Sequence, residues 1–194
     1  EKINEVYEKN PKAGMVSGLV YIKKGFDSAQ PDKKDFTTSQ LYDFTHQNEW
    51  TFENLSSKNH VRGPIKSYRK ELFLKMNGLR AVLGWDNIDV MLCKMHGFET
   101  VTLQELWVKH LRPTAYKYKS QKAQKLGEYF YNIGLNFPLA AISSAKSSLK
   151  NKSISEFFIT MKSFLKQKNP RVLSQEEIAF IRDLRWKEIK RKLM

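Results

Sequence analysis

The sequence predicts an α/β chain in which a strand-and-helix region, residues 1–114, is followed by a helical extension, residues 115–194. Three observations predict this. Up to Pro113, short apolar and β-branched runs alternate with helical stripes. Beyond it, four segments each set an apolar stripe against a lysine-rich face. The charge shifts at the same place: residues 1–114 hold 17 basic and 14 acidic side chains, and residues 115–194 hold 17 and 6.

The elements follow in order. Glu1–Glu8 reads as the tail of a helix with Ile3, Val6 and Tyr7 on one stripe, stopped by Asn10-Pro11. It has no start signal and no initiator Met, which reads as an entry in mid-structure. Gly14–Lys23 (GMVSGLVYIK) is a buried strand. Lys24–Lys34 is a loop and Thr38–His46 a short helix. Glu49–Glu53 alternates as a strand does, and His60–Ser67 reads as a strand entered from a glycine-bearing turn. Arg69–Asn77 and Asp86–His96 are helices, with Gly78 and Gly97 at their stop positions. Glu99–Leu103 and Leu106–His110 form a strand pair or one interrupted strand. The extension supplies helices over Gln121–Ile133, Leu139–Leu149, Ser155–Lys166 and Gln175–Met194. Asn169-Pro170 separates the last two, and Ser174-Gln175-Glu176-Glu177 is a capping box.

Composition narrows the function classes. The chain has 194 residues, an ordinary 41% apolar content and a net charge of +14, which favours phosphate-bearing partners. Its one cysteine, Cys93, forms no internal disulfide. EKINEVYEKN does not read as a signal peptide, and no apolar run approaches the ~20 residues of a membrane span. The expected location is cytoplasmic, with contact to the inner face of the plasma membrane left open.

Gly84-Trp85-Asp86-Asn87-Ile88-Asp89 is the most informative segment. Asp86 and Asp89, three apart, share a helix face, and Asp86 stands in the first turn where the helix dipole favours a carboxylate. Such a group can take a proton from a hydroxyl, but the same spacing fits a plain N-cap with a first-turn charge. Trp85 can stack on a sugar ring or pack in the core. His60, Arg62 and Gly63 precede a strand, where Gly63 permits close approach of a ligand and Arg62 can pair with phosphate or lie on the surface. His110 and Arg112 end the last strand as a candidate metal ligand and a candidate phosphate partner, though one His is a weak signal. His46, His96, Trp50, Trp107 and Cys93 read as structural. The residues show no zinc cluster, Gly-rich phosphate loop or Ser-His-Asp arrangement.

Taken together, "MVSG", "HVRGPIKSYRKELFLKMNGLR" and "GWDNIDVMLCKMHGFETVTLQELWVKHLRPT" resemble the second half of bacterial family 2 glycosyltransferases. There, R-G-x-x-K-x-Y-R leads to G-W-D-x-x-D, a helix ending in H-G and a closing K-H-x-R-P-T. The tail ("GEYFYNIGLNFPL", "KNPRVLSQEE", "IRDLRWKEIKRKL") resembles the extension these enzymes carry. The resemblance implies a partial GT-A fold, a Rossmann-like mixed sheet with flanking helices. It implies a nucleotide-sugar donor and a glycan or lipid-linked acceptor. It also implies a divalent metal, Mn or Mg, held mainly by an Asp-x-Asp motif that these residues lack and that would precede Glu1.

Where the family shows Glu-Asp and then x-Asp, this chain reads Asp86-Asn87-Ile88-Asp89. Asp86 is taken as the inverting base, because Asn87 cannot accept a proton. His110 matches the family's late His, which completes metal or diphosphate binding. Without a donor half, these residues alone are expected not to transfer sugar.

The rival class is a basic module that binds nucleic acid or an anionic surface without catalysis. The lysines are dispersed and no RNP, KH, zinc-finger or helix-turn-helix signature is present, so no specific nucleic acid is expected. The amphipathic basic helices fit docking on an anionic membrane or a solvated face of a helical subdomain.

Overall fold

The computed structural model describes residues 1–23, 49–54, 57–111 and 121–193. The loop at Lys24–Lys34, the helix at Thr38–His46, Arg112 and the charge boundary at Pro113–Thr114 lie outside the described residues. The α/β expectation holds: strands and helices mix up to residue 110, and among the described residues only helices follow. The chain forms two compact units, residues 1–69 with 99–117, and residues 70–98 with 118–194.

The first unit is built on one strand. Helix α1 (Lys2–Lys9) ends at Asn10, and the chain enters β1 (Ala13–Lys23). The parallel strand β4 (Glu99–His110) lies along β1 from Ala13 to Ile22. The short strands β2 (Trp50–Phe52) and β3 (Lys66–Tyr68) pair with β1 antiparallel, over Tyr21–Lys23 and Met15–Ser17 respectively. The sheet is therefore mixed. Both edges of β1 are hydrogen-bonded, and Ala13, Met15, Val16 and Val20 are fully buried. A strand covered on both faces needs a continuous apolar run, which is what GMVSGLV supplies.

One expectation changes in this unit, and one open alternative is decided. The strand placed at His60–Ser67 is limited to Lys66–Tyr68, and residues 60–65 are turn and irregular backbone. Gly63-Pro64 accounts for this, since proline has no N–H to give a ladder and glycine weakens a strand. The segments at 99–103 and 106–110 are one strand with an irregularity. Gly18 pairs with Leu103 and Leu19 with Trp107, so Gln104–Leu106 bulge out between them. Arg69, the last residue of R-G-x-x-K-x-Y-R, ties α1 to the sheet. Its guanidinium donates to the carbonyls of Ala13, Tyr7 and Asn10 at 2.8, 2.7 and 2.9 Å.

The second unit is helical. It holds α2 (Lys70–Lys75), α3 (Trp85–Met95), α4 (Lys122–Asn132), α5 (Phe137–Lys150), α6 (Ile154–Lys166) and α7 (Gln175–Leu193). Their shared core includes Leu72, Ile88, Leu92, Ile133, Leu139, Phe164, Ile178 and Ile181. The capping box forms as read. The Glu177 N–H donates to Ser174 Oγ at 3.1 Å, and the Ser174 N–H donates to the Glu177 carboxylate at 2.7 Å. The same carboxylate accepts from Arg80 at 2.7 Å, and Arg80 also caps the carbonyls that end α2. One glycine sets the closeness of α4 and α6: a Cβ on Gly127 would stand 2.3 Å from the backbone oxygen of Thr160.

Gly127→Ala must push two helix backbones apart. It is expected to cost about 1–3 kcal/mol, read as a lower denaturant midpoint and Tm, while Ala123→Gly on the same helix lowers stability by only about 1 kcal/mol.

Candidate functional site

Each unit carries a polar cluster that includes residues marked in the sequence. In the first, it lies at the carboxyl ends of the parallel strands β1 and β4, where open α/β sheets place ligands. Glu53 follows β2 directly, and its N–H donates to the Val20 carbonyl at 2.9 Å, which draws it against β1. It is only 3% exposed. A carboxylate there needs a counter-charge, because desolvating an unpaired ion costs several kcal/mol. Arg62, also buried, supplies it. One Nη donates to the Glu53 carboxylate at 2.5 Å and the other to the Glu53 carbonyl at 3.3 Å. His110 closes the group from the end of β4, with Nδ1 3.5 Å from the same carboxylate.

Arg62 and His110 come from separate motifs and meet on an acid that the sequence analysis did not single out. Glu53 could have been suspected only as the polar end of an apolar strand, since nothing local marks its burial. His60 is half-buried, with its backbone N–H donating to the Ser57 carbonyl at 3.0 Å. Gly63 lies in the turn that follows Arg62.

Aromatic rings line the same end of the sheet. Tyr21 contacts Trp107 at 5.2 Å between ring centroids and Phe52 at 6.2 Å. Lys109 lies over the Trp50 ring at 5.0 Å. Trp107 is 41% exposed and so stands on the rim.

The residues do not by themselves fit a metal. His110 offers one nitrogen, but its nearest carboxylate is already held by Arg62. Among the described residues no group of three His, Cys, Asp or Glu could hold an ion.

In the second unit, the cluster surrounds the start of α3. Gly84 precedes the helix with φ +96°, a left-handed conformation that suits glycine. A Cβ there would also lie 2.5 Å from the Tyr129 ring. Asp86 follows in the first turn and is half-buried, whereas Asp89 is 3% exposed. Ile88 to Cys93 are all buried, so α3 enters the core after one turn, and axial position separates two acids that share a face. Trp85 stands at the rim.

Tyr129 packs beneath this corner. Burial chiefly raises its hydroxyl above the ordinary 10.0, Arg185 opposes that, and the Asp86 carboxylate adds to it. Arg185 also pairs with Glu188 at 3.1 Å. Asp86 thus belongs to a local network with Tyr129, Arg185 and Glu188, of which the sequence analysis named only the Asp.

Comparison with protein-family models, with curated proteins and with solved structures finds no match.

Two outcomes are expected. Glu53→Ala removes the carboxylate that faces the buried Arg62 guanidinium and should lower stability by about 3–5 kcal/mol, measured by chemical denaturation. Tyr129 favours its neutral form more in the folded than in the unfolded chain. Its contribution is therefore fully present below pH 10 and is lost as pH rises through the raised folded value. Tyr129→Phe should flatten that alkaline decline in a Tm-against-pH series.

Proposed function

We propose that the chain is the acceptor-side portion of an inverting family 2 glycosyltransferase, which moves a sugar from a nucleotide-sugar donor to a glycan or lipid-linked acceptor. The motif resemblance is the starting point. The observation that carries the reading is the meeting of Arg62 and His110, from the R-G-x-x-K and K-H-x-R-P segments, on Glu53 at the carboxyl end of the parallel strand pair. Motifs far apart in sequence then serve one location, which isolated surface residues would have no reason to do.

In this reading Asp86 is the base. It is the more accessible carboxylate of the pair, held in a helix's first turn. It takes the proton of the acceptor hydroxyl, and that oxygen bonds to the anomeric carbon from the side opposite the donor phosphate. The bond to the phosphate oxygen breaks, and its electron pair leaves with the nucleoside diphosphate. Asp89, buried one turn on, is the second acid of the motif. Trp85 gives the acceptor ring a flat apolar face. The resemblance assigns His60, Arg62 and Gly63 to substrate binding, His110 to the metal or diphosphate, and Arg112, outside the described residues, to phosphate. Any divalent metal would rest on the Asp-x-Asp motif that the resemblance implies, and not on the residues described above. The enzyme would work on the cytoplasmic side of the plasma membrane. No described helix is long and apolar enough to cross one.

The test is turnover by an enzyme in which these residues follow a donor-binding half, assayed over a panel of nucleotide sugars. Asp86→Asn should lower kcat by about 10²–10⁴-fold with the donor KM little changed. Undiminished transfer by that variant removes Asp86 as the base, and a wild type inert toward every donor removes the reaction.

A further inference from the structure

Helix α6 packs through Thr160, Met161 and Phe164, all buried. A strip roughly a quarter-turn round the helix, bordering Met161, carries large apolar side chains in the open: Ile154 is 79% exposed, Phe158 65% and Leu165 63%. At 100° per residue these three lie within about 40° of a single line and span about 16 Å of the helix. Scattered exposed apolar residues need no explanation, but an aligned row does. Leu149, 79% exposed, adds an apolar tip where α5 turns into α6.

Cations border the row. Lys162 and Lys166 follow on the neighbouring strip of α6, and Lys150 and Lys152 flank the turn, all four exposed. Between residues 137 and 168 the acid is Glu156, whose carboxylate accepts from Asn151 at 2.6 Å. Lys162 and Lys166 also face a groove of ≈ 490 Å³ between α4 and α6, with Gln124 and Lys125 on its other wall.

Charge complementarity selects the occupant. A second copy of the chain would bring lysine against lysine. A nucleic acid would satisfy the lysines and leave Ile154, Phe158 and Leu165 in water. An anionic bilayer satisfies both, with an acyl boundary for the row and phosphates for the cations.

We propose that α6 and the α5–α6 turn lie flat on an anionic membrane surface. Ile154, Phe158 and Leu165 enter the acyl boundary, while Lys150, Lys152, Lys162 and Lys166 meet headgroup phosphates. This deepens the membrane location given above and rests on that part of the reading, but it does not require sugar transfer.

The experiment is co-sedimentation with phosphatidylcholine vesicles, with and without phosphatidylglycerol. Cys93 is the one cysteine and is buried, so Phe158→Cys accepts a single environment-sensitive fluorophore. Pelleting should need the anionic lipid, weaken with salt and shift the probe's emission to the blue. The triple change Ile154→Ser, Phe158→Ser, Leu165→Ser should lower the partition coefficient at least about 10-fold, as should Lys162→Glu with Lys166→Glu. Circular dichroism and Tm should stay as in the parent, since these residues are exposed.

Pelleting that ignores lipid charge, a probe that does not move, or variants that pellet as the parent does would overturn the proposal. So would a dimer abolished by the triple change, or DNA binding that outcompetes the vesicles. Lipid binding by these residues, together with no transfer from any donor once they follow a donor-binding half, retires the enzymatic reading and leaves this one standing, and transfer without lipid binding does the reverse.

Discussion

The interior position of β1 constrains everything else in the first unit. Its two edges are both taken by other strands, and Ala13 to Val20 have no side facing water. A strand so enclosed holds no charge of its own, so polar chemistry is pushed to its ends. At the carboxyl end Glu53 is drawn in by its backbone bond to Val20 and would be ruinous alone. Arg62 and His110 answer that charge. The amino end is closed by Arg69, whose guanidinium gathers three carbonyls from α1 and β1. Both ends of one apolar strand are thereby held by arginines of one short segment, residues 62–69, which explains why that segment reads as a dense motif and yet forms only three residues of strand.

The helical unit obeys a different constraint, the need to bring backbones close. Gly127 lets α4 meet α6 at Thr160, and Gly84 lets the α3 corner settle on the Tyr129 ring. The second contact bears on chemistry. It brings Asp86 within electrostatic reach of Tyr129 on α4, whose hydroxyl also meets Arg185 of α7. The burial of α3 from Ile88 onward then divides the two acids into one that meets solvent and one that does not. The proposed base follows from that difference in depth.

The extension's charge takes on meaning only beside its apolar exposure. A basic face opposite a buried stripe is the ordinary arrangement of a solvated helix. In α6 a third strip intervenes, where Ile154, Phe158 and Leu165 are neither buried nor polar. Lysine content alone would have pointed equally to nucleic acid, and the aligned row is what favours a surface with an apolar interior.

The amino-acid sequence by itself determined the elements. The apolar run of β1, the period of the helices, the Asn10-Pro11 and Asn169-Pro170 breaks and the Ser174–Glu177 cap are local signals, since period, proline and side-chain capping act within a few residues. It also marked Asp86, Arg62 and His110, because helix-start and strand-end positions are local too. Tertiary structure alone decided which of these meet. Glu53 joins Arg62 and His110, and Tyr129 and Arg185 join Asp86, across separations that no spacing rule spans. It also decided that 60–65 is not strand, that residues 99–110 run as one bulged strand, and that Asp89 is buried while Asp86 is not. Burial and pairing depend on what folds back against a residue, and that is a property of the whole chain.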